Sequence, residues 1–334
     1  VEEQVLVWQR STERFRVLTA GNCHYVSSVL GHGVQCALSN MISVVTDCEY
    51  HGYTSSLLAV FDPRREPDRS QSGYRTLHRR SELRYHWSYD IYSLQSQLNP
   101  MVKIGINLNN RDVLLLEDYT VDTFFDLAAE AEPLGFDSVF VGDNLLERPR
   151  LEPLTLLAKI AGLTDSVEIG TACMIVTMRH PVQFAQAWAT LDMLADGRTV
   201  LGACMGTPTE LGREQHEVVG VPPEKRPIVL EEGLQVMTEL WENGEVTFSG
   251  RYFDFEDISF DIGQEIRALE PVQDQPSCLV VSNPSAHGND AVIDRAIRRI
   301  VEHGTGWLTT RNAANPEEYR EQWNAIASYA RDVG

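Results

Sequence analysis

Apolar and polar positions change regime at Met101. From there the pattern is regular. Val102–Leu108 (VKIGINL) predicts a strand, and Val121, Phe124, Phe125, Ala128, Ala131 and Leu134 recur at the spacing of one buried helical face. Asp118 or Thr120 can cap that helix, and Pro133 with Gly135 stops it. Residues 137–141 predict a second strand running into Gly142-Asp143-Asn144, and Pro153 opens a second helix over 154–163. The stretch 170–206 reads as strand end, loop, helix, tight turn and strand. Pro181 begins its helix, where a missing N–H costs nothing, Asp196-Gly197 ends it, and Thr199–Cys204 is a short apolar strand. Residues 207–227, rich in Gly, Pro and charge, read as a long active-site loop, a lid.

A helix over 227–241 follows, then a small hairpin around Ser249-Gly250. Residues 278–281 form a fifth strand. Asn289-Asp290 can cap a helix with the apolar face Val292, Ile293, Ala296, Ile297, Ile300 and Val301. Residues 305–309 form a sixth strand, and Asn315-Pro316 starts a sixth helix. Six βα units in line predict an α/β fold of the (β/α)8 barrel kind rather than a doubly wound sheet. The expectation is a TIM-like barrel truncated after its sixth βα unit, either a fragment or one whose open edge something else covers.

Residues 1–100 follow no such pattern. They contain three Ala, thirteen Ser, five His and ten Arg, and the segment 63–84 is nearly all polar, which predicts a weakly folded or non-native extension beside a barrel domain over 101–334. Met101 then reads as a natural start. Cys23, His24, His32, Cys36, Cys48 and His51 include two metal-like spacings, but incidental Cys and His are the simpler reading, and no metal is expected. The formal charge of −20 falls wholly in residues 101–334, which argues against nucleic acid or an anionic membrane as partner. Six cysteines without paired spacing, and no apolar leader, point to a reducing cytoplasm.

A barrel carries its chemistry at the C-terminal strand ends. There Asn107 and Asn109 follow strand one, Asp143 and Asn144 strand two, Ala172 to Thr177 strand three, Cys204 strand four, and Ser282 to Ser285 strand five. Asp143 can serve as a base, orient a ligand or cap a loop, and Cys204 can line a pocket or only pack. His180 can touch a ligand or bond its own loop. Ser282, Asn283 and Ser285 precede a helix start and suit a phosphate, or act as an ordinary cap. Glu231 and Glu232 read as a solvated helix face. A hydrolase or aldolase reading lacks a second catalytic group, since none of Lys103, Lys159 and Lys225 ends a strand.

Residues 101–334 resemble the bacterial luciferase-like flavin-dependent oxidoreductases. The matching motifs are Leu134-Gly135-Phe136-Asp137-Ser138-Val139 with Gly142-Asp143, Glu152-Pro153-Leu154-Thr155-Leu156-Leu157, Ile169-Gly170-Thr171 running to Arg179-His180-Pro181-Val182, Ala189-Thr190-Leu191-Asp192 with Gly197-Arg198, the stretch 244–255, and Gly306-Trp307-Leu308. The resemblance implies a barrel that binds reduced FMN, or in one branch an 8-hydroxy-5-deazaflavin coenzyme. Asn107, Ala172, Cys173, Ser282, Asn283 and Ser285 would lie at the cofactor, and Asp143 and Cys204 would be the catalytic candidates. It implies a non-proline cis peptide at Ala172-Cys173 behind the ring, with the family's reactive-site cysteine falling on Cys204. The function implied first is a monooxygenase acting with O2 on a small organic substrate, commonly a homodimer fed by a separate flavin reductase. The alternatives are deazaflavin-dependent hydride transfer and an inactive truncated barrel. Asn144 replaces a His of the family's usual pair, leaving any proton transfer to Asp143. Met205 stands where many members carry a phosphate-binding Arg, and Thr305 stands where an acidic residue is common.

Overall fold

Six parallel strands lie side by side in chain order. They are β1 (Val102–Leu108), β2 (Ser138–Val141), β3 (Glu168–Thr171), β4 (Thr199–Cys204), β5 (Ser277–Val281) and β6 (Gly306–Thr309), each paired with the next. The crossovers carry α1 (Val121–Glu130), α2 (Pro153–Ala161), α3 (Pro181–Leu194), α4 (Glu210–Val218), α5 (Arg226–Asn243) and α6 (Asp290–His303), and α7 (Pro316–Val333) follows β6. This is the predicted α/β alternation in a curled, barrel-type sheet. The computed structural model describes residues 102–260, 269–282, 289–309 and 316–333, together with the backbone of short strands between residues 3 and 61. Two of those strands meet the sheet edges: Glu3–Leu6 runs parallel to β6, and Tyr53–Phe61 antiparallel to β1.

Alternation along each strand sends side chains to two different cores. Ile104, Ile106, Leu108, Val139, Val141, Ile169, Leu201 and Ala203 face outward into the layer shared with Phe124, Leu157, Ile160, Trp188 and Leu230 of the helices. Phe140, Val200, Leu279 and Leu308 face inward and form a separate apolar plug, with Ala172, Cys173 and Val281 packed on it. Side-chain area removed from water is worth roughly 25 cal/mol per Å2, so both layers contribute, the larger outer one more. β3 and β4 approach too closely for side chains at two positions. A Cβ on Gly170 would lie 2.1 Å from the Val200 carbonyl oxygen, and one on Gly202 would lie 2.1 Å from that of Thr171.

Polar residues tie the lower ends of the units together. Asp192, at the end of α3, is fully buried and accepts from the Val272 and Gln273 backbone N–H groups (2.8 and 3.0 Å), the Gln273 amide (2.7 Å) and the Thr199 hydroxyl. Arg198 donates to the carbonyls of Ala161, Thr164 and Val167, at the buried end of α2 and the approach to the next strand. The Asp192 and Gly197-Arg198 motifs therefore have a structural task, remote from the strand ends.

The structure departs from the sequence reading in three places. α1 stops at Glu130, because residues 131–135 tighten into a turn closed by Gly135 at φ 87°. The loop 207–227 contains α4, whose polar composition hid it. Glu231 and Glu232 are not a solvated face. Glu231 pairs with Arg295 and Arg299 of α6 at 3.0 and 2.7 Å, and Glu232 accepts the backbone N–H groups of Arg251, Tyr252 and Phe253 at 2.7 to 3.0 Å. Their partners lie 19 to 68 residues away, beyond any local pattern.

Asp192→Ala would leave buried donors unsatisfied and should lower stability by about 3 kcal/mol, read by urea denaturation. Unchanged stability would show that these donors find other partners.

Candidate active site

The C-terminal strand ends converge above the apolar plug. Asn107, Phe140, Gly170 and Val200 are register partners across β1 to β4, and Phe140 and Val200 belong to the plug, so this row faces inward. Asn107 is half-buried, and its side-chain amide has no hydrogen-bond partner among the described residues. The Ala172–Cys173 peptide bond is cis, as the family resemblance implies, and both residues rest on the plug. Cys204, at the end of β4, reaches the same place, with its Sγ 2.9 Å from that of Cys173. The hydrogen bond to Cys173 and burial push the Cys204 thiol well above the usual cysteine range, so it stays protonated. It lines the mouth as a neutral thiol.

Asp143 follows β2 but is turned to the wall. Its Oδ2 accepts from the Ile175 N–H at 2.9 Å and from Arg179 Nη1 at 2.6 Å, and its Oδ1 from Arg179 Nη2 at 3.3 Å. Only 6% of its side chain is exposed. Both oxygens are engaged, so Asp143 holds the loop leaving β3, the cap-like task among its three possible roles. Its own N–H donates to the Cys173 carbonyl at 3.1 Å, which ties that loop to the floor. His180 bonds no loop group from its side chain as N-cap of α3. Its ring packs edge-on against Phe253 and Phe255 of the hairpin, with centroids 6.1 and 5.5 Å away.

Ser282 is buried after β5, with its N–H bonded to the Leu308 carbonyl and its carbonyl accepting the Trp307 indole N–H at 2.7 Å. Asn283 and Ser285 lie outside the described residues, as do the side chains of the Cys and His between residues 23 and 51. Among the described residues no group of three or more His, Cys, Asp or Glu could hold a metal.

Sequence reasoning missed Arg150. Its guanidinium sits at the ends of β1 and β2, donating to Asn109 Oδ1 at 2.7 Å and Asn110 Oδ1 at 3.2 Å, and a Cβ on Gly142 would touch it at 3.1 Å. These acceptors are neutral, and no carboxylate pairs with it among the described residues. Burial, then Arg111, lower its pKa, while Cys173 and Asp112 nearby raise it. A guanidinium drawn partly out of water with only amide partners keeps capacity for an anion. Its place after a polar loop gave no periodic signal.

The lid was foreseen as a loop, but its anchors were not. Gln215 Oε1 accepts the N–H groups of Leu145 and Leu146 at 3.3 Å, and Glu147 accepts the Thr207 and Thr209 hydroxyls at 2.6 and 2.9 Å. His216 is fully buried between the Gly212 carbonyl (2.7 Å from Nδ1) and the Thr177 hydroxyl (2.9 Å from Nε2). A carbonyl only accepts, so Nδ1 carries the proton and Nε2 accepts from Thr177. The lid is thus fastened to the exits of β2 and β3.

Burial holds His216 below its ordinary pKa of 6.5; the bond to Gly212 opposes this and Arg226 adds to it. The unfolded imidazole takes a proton that the folded one refuses. Its contribution is complete above about pH 6.5 and is lost as pH falls through the lowered folded value. Amide exchange across 210–218, corrected for intrinsic rates, should therefore quicken below about pH 6.5, and His216→Gln should flatten that dependence.

An F420-dependent glucose-6-phosphate dehydrogenase of Microbacterium testaceum is 32% identical over 218 residues, covering 62% of this chain and 57% of that protein. The chain spans about half the length of the curated relatives it matches. The fold is shared with the FMN-bound oxygenating constituent of 3,6-diketocamphane monooxygenase of Pseudomonas putida, at TM-score 0.53 and 16% identity over 66% of this chain and 60% of the other. It is shared too with the coenzyme F420-dependent tetrahydromethanopterin reductase of Methanopyrus kandleri, at TM-score 0.51 and 21% identity over 68% and 61%. The sequence profile of the luciferase-like monooxygenases matches residues 102–334, and the chain belongs to that family of oxidoreductases.

Proposed function

We propose that the chain is an oxidoreductase that transfers a hydride between the deazaflavin F420 and a small organic substrate at the mouth of the barrel. The observation that carries this reading is the 32% identity to an F420-dependent glucose-6-phosphate dehydrogenase over 218 residues. The residues present fit such a group. The plug topped by Ala172 and Cys173 offers an apolar floor to a planar ring, and Asn107 and Arg150 bring polar groups with capacity to spare. F420, when bound, supplies a ring carbon that takes or gives the hydride.

The chain's own residues bind, orient and exclude water. Asn107 would hydrogen-bond the ring edge, and Arg150 an anionic group of cofactor or substrate. Cys204, held as a thiol, lines the pocket without ionising. Asp143 is a positioning residue that acts through Arg179 and Ile175. α4 covers the mouth from its anchors at Gln215 and His216. Ser282, with Asn283 and Ser285, remains the proposed phosphate loop, in place of the Arg that Met205 replaces.

The family's description as monooxygenases favours a second reading, in which reduced FMN from a separate reductase and O2 act at the same mouth, in a homodimer. Titrating the protein with F420 and with FMN, each followed by fluorescence, separates the two. The first reading expects F420 to bind and Asn107→Ala and Arg150→Met to weaken it by about tenfold each, one hydrogen bond to a charged or ring group. Binding of FMN alone, with reductase-dependent O2 uptake, would establish the second reading. Binding of neither would overturn both.

A further inference from the structure

Cys173 and Cys204 leave different strands, 31 residues apart, yet their sulfurs are 2.9 Å apart on the inner plug. Strand pairing makes the meeting a fixed feature: Met174 and Ile175, next to Cys173, pair in register with Ala203 and Cys204. Cys173 is half-exposed to the mouth, whereas Cys204 is buried. Cys278, near the start of β5, is buried and its thiol is pushed up to about 12 by that burial.

We propose that Cys173 and Cys204 form an oxidant-sensitive dithiol that closes into an intramolecular disulfide across the mouth when a peroxide reaches it. The half-exposed sulfur reacts first. The Cys173 thiolate attacks one peroxide oxygen, the O–O bond breaks, and Cys173 becomes a sulfenic acid while the other oxygen leaves as hydroxide and takes up a proton as water. The Cys204 sulfur then attacks the Cys173 sulfur. The S–S bond forms, the S–OH bond breaks, and the departing hydroxide takes the Cys204 proton as a second water. Two thiols lose two electrons in total, and one hydrogen peroxide is reduced to two waters. Contact between the sulfurs means that the chain has little distance to close before bonding. Burial and the bond to Cys173 hold Cys204 as a thiol, which suits it to the resolving step rather than the first one.

The test uses the whole folded chain, reduced, freed of reductant and treated with a small excess of hydrogen peroxide. Free thiols are then blocked and a non-reducing digest is mapped by mass spectrometry. The proposal expects a peptide pair linked through Cys173 and Cys204, released by dithiothreitol, with Cys278 still alkylated as a free thiol. In Cys173→Ser, Cys204 oxidation should fall to the level of Cys278. In Cys204→Ser, a sulfenic acid at Cys173 should persist long enough for dimedone to trap it. The proposal is overturned if wild-type Cys173 and Cys204 both remain alkylatable, if either links to another cysteine instead, or if Cys173 passes to sulfinic acid with no linked pair. The wild-type map decides alone should a variant fail to fold, which circular dichroism reads.

Discussion

The contact between β3 and β4 is the constraint on which the site rests. Gly170 and Gly202 admit no side chain where the two strands meet, so the backbones close up and the strand exits arrive at one place. That closeness sets Ala172 and Cys173 on the plug beside Cys204, and it brings the loop that leaves β3 within reach of Asp143. A bulkier residue at either glycine would push the strands apart and separate the exits. Local packing below the mouth is therefore a condition for the chemistry above it.

Around this contact the charged groups divide between holding and offering. Asp143 with Arg179, Glu232 with the hairpin backbone, and Asp192 with its four donors are each spent on structure. A buried carboxylate is tolerable when its oxygens are satisfied, and each of these is. Arg150 and Asn107 differ. Arg150 has neutral partners and Asn107 has none among the described residues, and both stand at the strand ends. Groups left with capacity at a mouth, above an apolar floor, are what a ligand site requires.

On the proposed reading, the barrel adds positioning, electrostatics and exclusion of water to chemistry that a bound cofactor would carry. The lid illustrates the protein's share. Its helix is fastened by an amide, a carboxylate and a neutral imidazole to the loops after β2 and β3, so a change at the mouth and a change in the lid would be felt by the same residues. The dithiol on the floor adds a second sensitivity at the same place, toward oxidation state, without any residue being moved from its task.

Much of the fold was legible along the chain. Period-2 and helical-period runs, Pro181 at a helix start, Asp196-Gly197 just past a helix end and Thr120 as a cap are local, and local geometry suffices to write them. The strand ends were legible too, because a barrel puts its functional loops after its strands. What the sequence by itself determined was thus the order of the units and which residues follow each strand. The tertiary structure decided the roles. It turned Asp143 toward Arg179, 36 residues on, showed Glu232 buried under the hairpin, placed Arg150 among amides, and set two cysteines in contact. Each of those outcomes depends on which atoms from distant segments meet, and hydrogen bonding and desolvation are settled only by that meeting, which no periodicity in a single segment encodes.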